Sequence, residues 1–184
     1  MTSGENATCT PMNSTRTLML LRHGKSDWHA GGTDDFSRPL AKRGIKASRK
    51  IGSWLLDNDL LPDYIISSPA TRAHETADIV CRVTGIPACS ASSDERLYLA
   101  DVSSLLEVIH QCPPAAGRLM IVGHNPGLEE LLEYLCTDPP PDPENGKLLP
   151  TAALALLQFN GAWNELEAGA ARLQILTRPH ELEY

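Results

Sequence analysis

Short apolar strands alternating with helical segments predict an α/β domain. Its mostly parallel sheet should be covered by helices on both faces, giving a three-layer α/β/α sandwich. Two observations carry this expectation. Leu18-Met19-Leu20-Leu21 and Leu119-Met120-Ile121-Val122 are unbroken apolar runs, the pattern of strands buried on both faces. The segments that follow the strands show helical period and end at Gly or Pro, as after Val80-Cys81 at Gly85 and before Pro113-Pro114.

The elements follow in order. Residues 1–15, rich in Ser, Thr and Asn, read as a flexible N-terminal tail, and residues 16–184 as one domain without internal repeat. A first strand covers about 17–21, and a long polar loop runs from 24 to 39. Loops of that length inside compact domains are commonly functional. Trp28 within it either caps the core or, if exposed, meets substrate. From Leu40 the pattern is helical, with Ile45, Ile51, Trp54 and Leu55 on one face and a solvated basic set of Lys42, Arg43, Lys46, Arg49 and Lys50 elsewhere.

Asp63 to Ser67 is a second strand. Ser68 then reads as an N-cap and Pro69 as the first residue of a helix reaching Gly85. Arg96–Leu99 reads as a short strand, and Ser103 or Ser104 starts a helix stopped by Pro113. After the strand ending at Gly123, Asn125 reads as the cap of a helix with Pro126 at its first position, ending near Cys136. Five prolines between 139 and 150 mark an irregular excursion. Ala152–Phe159 and Arg172–Leu176 are the last strands.

The composition narrows the function. A formal net charge of -7 disfavours nucleic acid as the main partner. No apolar stretch approaches a membrane span, and no apolar signal core is present. With five widely spaced cysteines and no C-x-x-C pair, reduced thiols and a cytoplasmic location are expected, and the sequons at Asn6 and Asn13 are read as accidental. Cys112 and Arg118 stand at C-x5-R spacing, but Pro113 and Pro114 remove backbone donors that a phosphate cradle needs. The six histidines show no metal-ligand spacing, so neither metal nor other cofactor is expected.

The strand ends carry the chemistry. In open α/β sheets ligands bind beyond the carboxyl ends of the strands. The first strand ends in Arg22-His23-Gly24, the second in Ser67-Ser68-Pro69 with Arg72 just beyond, and the third in Gly123-His124-Asn125-Pro126-Gly127. Two arginines, two histidines and two helix N-termini therefore converge where a phosphoryl group can be held. A neutral His23 can attack phosphorus, and Arg22 and Arg72 should lower its pKa as like charges. His124 can donate to a phosphoryl oxygen. Gly24 lets the backbone turn and approach a ligand.

These motifs, with Ser68-Pro69-Ala70-Thr71-Arg72-Ala73-His74-Glu75-Thr76-Ala77, resemble the histidine phosphatase superfamily. Arg38-Pro39-Leu40 followed by Arg43-Gly44, Leu97-Tyr98 and Pro150-Thr151-Ala152-Ala153 resemble its SixA-like phosphohistidine phosphatases. The resemblance runs from about Thr17 to Pro179. It implies a mixed, mostly parallel sheet in a phosphoglycerate mutase-like fold, His23 as phosphoacceptor, and Arg22, Arg72, His124 and Asn125 as phosphate-binding residues.

One departure bears on substrate. Mutases and many small-molecule phosphatases of this superfamily carry a Glu that protonates the leaving alcohol. The comparable stretch here, Arg96 to Asp101, has none, and Glu95, Asp101 and Asp27 are weak substitutes. A phosphoramidate needs less help from an acid. The expected reaction is therefore metal-independent hydrolysis of phosphohistidine, on a phosphohistidine-bearing protein or a small phosphorylated substrate. A phosphatase or mutase acting on small phosphate esters, and a phosphate-binding module without turnover, are alternative readings of the same residues.

Overall fold

The computed structural model describes residues 15–30, 34–87, 91–141 and 146–183. Residues 1–14 of the expected tail, with Asn6, Asn13 and Cys9, lie outside these residues, as do Gly31, Gly32 and Cys89, while Thr15, expected as the end of the tail, opens the first strand. The strands are β1 (Thr15–Arg22), β2 (Tyr64–Ser67), β3 (Ala91–Ser93), β4 (Arg118–Gly123), β5 (Leu154–Asn160) and β6 (Arg172–Thr177). The helices are α1 (Lys42–Asp57), α2 (Thr71–Thr84), α3 (Val102–His110) and α4 (Gly127–Leu135).

The six strands form one sheet in the order β3-β2-β4-β1-β5-β6. β3, β2, β4 and β1 are mutually parallel, while β5 runs antiparallel to both β1 and β6. The sheet is thus mixed, as expected.

Alternation along the central strands builds two cores. Leu18 and Leu20 of β1 pack with Ile121 of β4 against Leu105, Ile109, Leu128 and Leu132 of α3 and α4. Met19 and Leu21 point the other way, joining Met120, Val122, Ile51, Leu55, Ala73 and Val80 of α1 and α2. A strand with apolar residues at every position has a helix layer to meet on each side.

Local boundaries differ from expectation in several places, among them β5, which starts at Leu154 instead of Ala152. α2 starts at Thr71 with Ala70 before it, so Ser68 is not its N-cap and Pro69 lies outside the helix. Asn125 does not cap α4 either; Pro126 precedes that helix and is joined to Asn125 by a cis peptide. Residues Glu95–Leu97 form a 3-10 turn, and the edge strand is Ala91–Ser93 instead of Arg96–Leu99. α3 begins at Val102 because the Asp101 carboxylate accepts from the Ser104 amide.

Gly24 also packs closely on α1. A Cβ there would lie 2.9 Å from the Gly44 carbonyl oxygen, and one on Gly44 would lie 2.2 Å from the Lys25 carbonyl oxygen. The two glycines let the segment after β1 lie directly on α1. That contact fixes the backbone next to His23.

Candidate active site

Parallel pairing continues past the strand ends and assembles the site. Arg22 is in register with Gly123, and Ser67 with Val122. One residue further, the His23 amide donates to the Gly123 carbonyl at 3.1 Å and the Ser68 amide to the Val122 carbonyl at 2.9 Å. His23, Ser68 and His124 are therefore neighbours at one sheet edge, and Arg72 enters from the first turn of α2. His23, Arg72, His124 and Ser68 are all buried. The rings of His23 and His124 lie 5.0 Å apart between centroids.

Hydrogen-bond chemistry fixes both tautomers. His23 Nδ1 lies 2.7 Å from the Gly24 carbonyl oxygen. A carbonyl only accepts, so Nδ1 carries the proton and Nε2 the lone pair. Arg72 Nε donates to that Nε2 at 3.4 Å. A guanidinium only donates, so His124 Nδ1, 3.4 Å from Arg72 Nη2, is the unprotonated nitrogen. His124 Nε2–H then donates to Ser68 Oγ at 2.8 Å.

Both imidazoles are held neutral. The His23 pKa is pushed down to about 3, first by burial, against the pull of the Gly24 carbonyl, and then by His124, Arg72 and Arg22. The two arginines act as expected but are secondary to desolvation. His124 is pushed down to about 4 by burial, then by Arg72 and Arg22, with Asp35 opposing.

Arg22 donates through Nη1 to the Leu149 carbonyl at 2.8 Å. Its buried Nε has no partner among the described residues. An unpartnered buried donor is rare. Asn125 Nδ2 donates to the same Leu149 carbonyl at 2.9 Å, and Leu149 N is itself held by Glu129 Oε1 at 2.7 Å. Asn125 thus shares its acceptor with Arg22.

The structure adds four side chains that the sequence reading did not place in the site. Asp35 Oδ2 lies 2.8 Å from Arg72 Nη2 and accepts from the Tyr98 hydroxyl at 3.1 Å, while its Oδ1 pairs with Arg38 at 2.8 Å. Burial pulls the Asp35 pKa up, but Arg72, Tyr98 and Arg38 outweigh it and hold the carboxyl below its ordinary value. Ser68 orients His124, and Thr76 Oγ1 accepts from the Gly24 amide at 3.0 Å. Tyr98 places its ring edge-on to His124 at 5.5 Å. No spacing pattern marks Asp35, and the expectation that Ser68 caps a helix, which the structure does not bear out, hid its contact with His124.

Two of the three weak acid candidates have local partners, and the third is exposed. Asp101 caps α3, Asp27 Oδ1 accepts from the His29 amide at 2.9 Å, and Glu95 is exposed on the 3-10 turn. Cys112 and Arg118 do not form a phosphate loop. Burial raises the Cys112 pKa to about 11, and Arg118 donates to the carbonyls of Asp59 and Leu61. Among the described residues no group of three or more His, Cys, Asp or Glu could hold a metal ion. Nor is any helix among them long and apolar enough to cross a membrane.

The chain is similar to known proteins over most of its length. Residues 18–98 match the family model of the histidine phosphatase superfamily, branch 1. An uncharacterised protein of Mycobacterium tuberculosis (strain H37Rv) is 35% identical over 157 residues, covering 83% of this chain and 96% of the relative. An uncharacterised chloroplastic protein of Arabidopsis thaliana is 30% identical over 177 residues, covering 89% and 78%. Among solved structures, a protein of Nakamurella multipartitia assigned as the phosphohistidine phosphatase SixA superposes with a TM-score of 0.76 at 27% identity, covering 90% of this chain and 97% of that one. Its counterpart from Agrobacterium tumefaciens gives 0.71 at 28% identity, covering 89% and 98%. The matched segment holds Arg22, His23 and Arg72, and the likeness to relatives extends over more than four fifths of the chain; the chain belongs to the histidine phosphatase superfamily.

Proposed function

We propose that this phosphatase hydrolyses phosphohistidine through a phosphoryl group carried on His23. The observation that supports this substrate is the state of the carboxylates. Asp35, the carboxylate paired with Arg72, is held ionised by Arg72, Tyr98 and Arg38. An ester needs an acid to protonate its leaving alcohol. A phosphoimidazole leaves as neutral imidazole when its other ring nitrogen already bears a proton, so the pocket suits that bond.

The steps follow from the tautomers. The neutral His23 Nε2 lone pair attacks phosphorus as the bond to the substrate nitrogen breaks. The Nδ1–H bond to Gly24 keeps the ring oriented. Arg22 and Arg72 hold the equatorial oxygens, whose charge they stabilise in the transition state. His124 presents only Nδ1 to the pocket, because Ser68 takes Nε2. It becomes a donor once a bound phosphoryl dianion raises its pKa and it takes up a proton. Water then attacks the phosphorus on His23, the P–N bond breaks, and the water proton leaves on inorganic phosphate.

The rim supports a protein as carrier. Trp28 is 68% exposed, with the Arg38 guanidinium 3.4 Å above its ring, and Arg38 pairs with Asp35. Phe36 packs edge-on to Tyr98 at 5.1 Å, and Leu99 is 66% exposed. Large exposed apolar side chains linked to a pocket suit a protein surface. A panel of phosphohistidine peptide, sugar phosphates and glycerate phosphates tests the reading. Turnover should be greatest with the peptide. Preference for an ester would overturn the substrate, and stoichiometric labelling without phosphate release would favour a binding module.

A further inference from the structure

We propose a second anion site, distinct from the phosphoryl pocket, that takes an organic polyphosphate: at least two adjacent phosphates on an apolar or aromatic body. A cavity of about 330 Å³ lies beside the β1–α1 connection, walled by Lys25, Arg43, Lys46, Lys50, Pro150 and Pro179 among others. None of Arg22, His23, Arg72 and His124 lines it.

Three observations support a ligand there. The first is charge. This chain carries 16 basic against 23 acidic residues, yet four cations surround one cavity whose lining contains no carboxylate. Among the described residues none of the four makes an ion pair. Clustered like charges cost stability through repulsion, and an anion relieves it. Arg43, Lys46 and Lys50 follow helical spacing on α1, so the basic set read from the sequence as a solvated face partly walls a cavity.

The second is construction. Lys50 Nζ donates to the Leu182 carbonyl at 2.7 Å and reaches the Pro179 carbonyl at 3.4 Å. The segment after β6 is thereby fastened across α1 and closes one side. The third is the lining, where Ala47, Pro150 and Pro179 set apolar surface among the cations. Bare phosphate would leave that surface uncovered, whereas a body with an apolar face would bury it. The volume lies at the lower end of small-molecule pockets.

The site adjoins the catalytic strand. Lys25 is two residues beyond His23, and Pro150-Thr151 precede Ala152, whose amide donates to the carbonyls of Arg22 and His23 at 3.1 Å each. Occupancy can therefore bear on the backbone that positions the nucleophile.

Calorimetric titration with ATP, tripolyphosphate and adenosine, without divalent metal, tests the proposal. ATP should bind, tripolyphosphate at least about tenfold more weakly, and adenosine not measurably. The double variant Arg43→Glu, Lys46→Glu alters two exposed side chains. It should weaken ATP at least about tenfold while keeping phosphohistidine turnover and a melting temperature no lower than that of the wild type. Arg72→Gln should leave ATP binding intact. ATP binding that survives the double variant, or is lost in Arg72→Gln, would overturn the site. Equal affinity for tripolyphosphate would overturn the organic ligand, and no ATP binding would overturn both.

Discussion

Asp35 Oδ2 and Arg72 Nη2 lie 2.8 Å apart, so the chain's own carboxylate takes part of the guanidinium fork that also reaches both imidazoles. A phosphoryl oxygen must compete with it. Asp35→Asn should therefore tighten inhibition by inorganic phosphate by about two- to fivefold, the scale of a half-exposed ion pair. Weaker inhibition would instead make Asp35 the residue that positions Arg72. Phosphate inhibition constants for the two proteins decide between them.

Arg72→Gln should lower kcat/KM by about a hundredfold, through lost stabilisation of phosphoryl charge. Removing one repelling charge should also raise the His23 pKa. The value should stay below that of an ordinary histidine, because burial is the leading cause of the depression. NMR titration of the imidazole without phosphate measures this, and a fall would contradict the facing of Arg72 and His23.

Stability should depend on pH with a definite sign. The folded pKa values of about 3 for His23 and about 4 for His124 lie below the unfolded value of 6.5. The unfolded chain binds protons first as pH falls. Stabilisation from keeping the rings neutral is complete above about pH 6.5 and is lost toward pH 4 and below, with a slope of up to about 1.4 kcal/mol per pH unit for each ring. Urea unfolding between pH 7 and 4 should show a shallower slope in His23→Gln than in the wild type. Equal slopes would mean that His23 titrates normally.

Gly44→Ala should be costly despite the higher helix propensity of alanine. Its methyl group would meet the Lys25 carbonyl oxygen at 2.2 Å, and backbone cannot move aside as a side-chain tip can. A loss of about 1–3 kcal/mol is expected, with reduced kcat from displacement of the Gly24–Lys25 backbone. Chemical unfolding with parallel kinetics checks both; a stabilised, fully active variant would contradict the packing.

Much of this site was legible because it follows strand ends. Unbroken apolar runs located β1 and β4, and the residues after them were necessarily at the ligand edge. Parallel register then brought Arg22, His23 and His124 together, with Arg72 on the following helix. What was missed depends on contacts between distant segments. Asp35 lies in a loop without periodicity, and only folding brings it to Arg72 and Tyr98. Glu129 reaches the site through the amide of Leu149, twenty residues away. Leu97-Tyr98-Leu99 has strand-like residues, but the Asp94 side chain caps a 3-10 turn there by accepting from the Arg96 amide. Local hydrogen bonding overrode propensity at that point.

The proposed mechanism requires His23 Nε2 to carry the phosphoryl group. Rapid quenching of the protein with a radiolabelled phosphohistidine peptide, followed by peptide mapping under alkaline conditions, tests it most directly. Acid-labile label is expected on the peptide containing His23, appearing before free phosphate, with neither label nor turnover in a folded His23→Ala variant. Full turnover in that variant, or label on any other residue of the wild type, would contradict it.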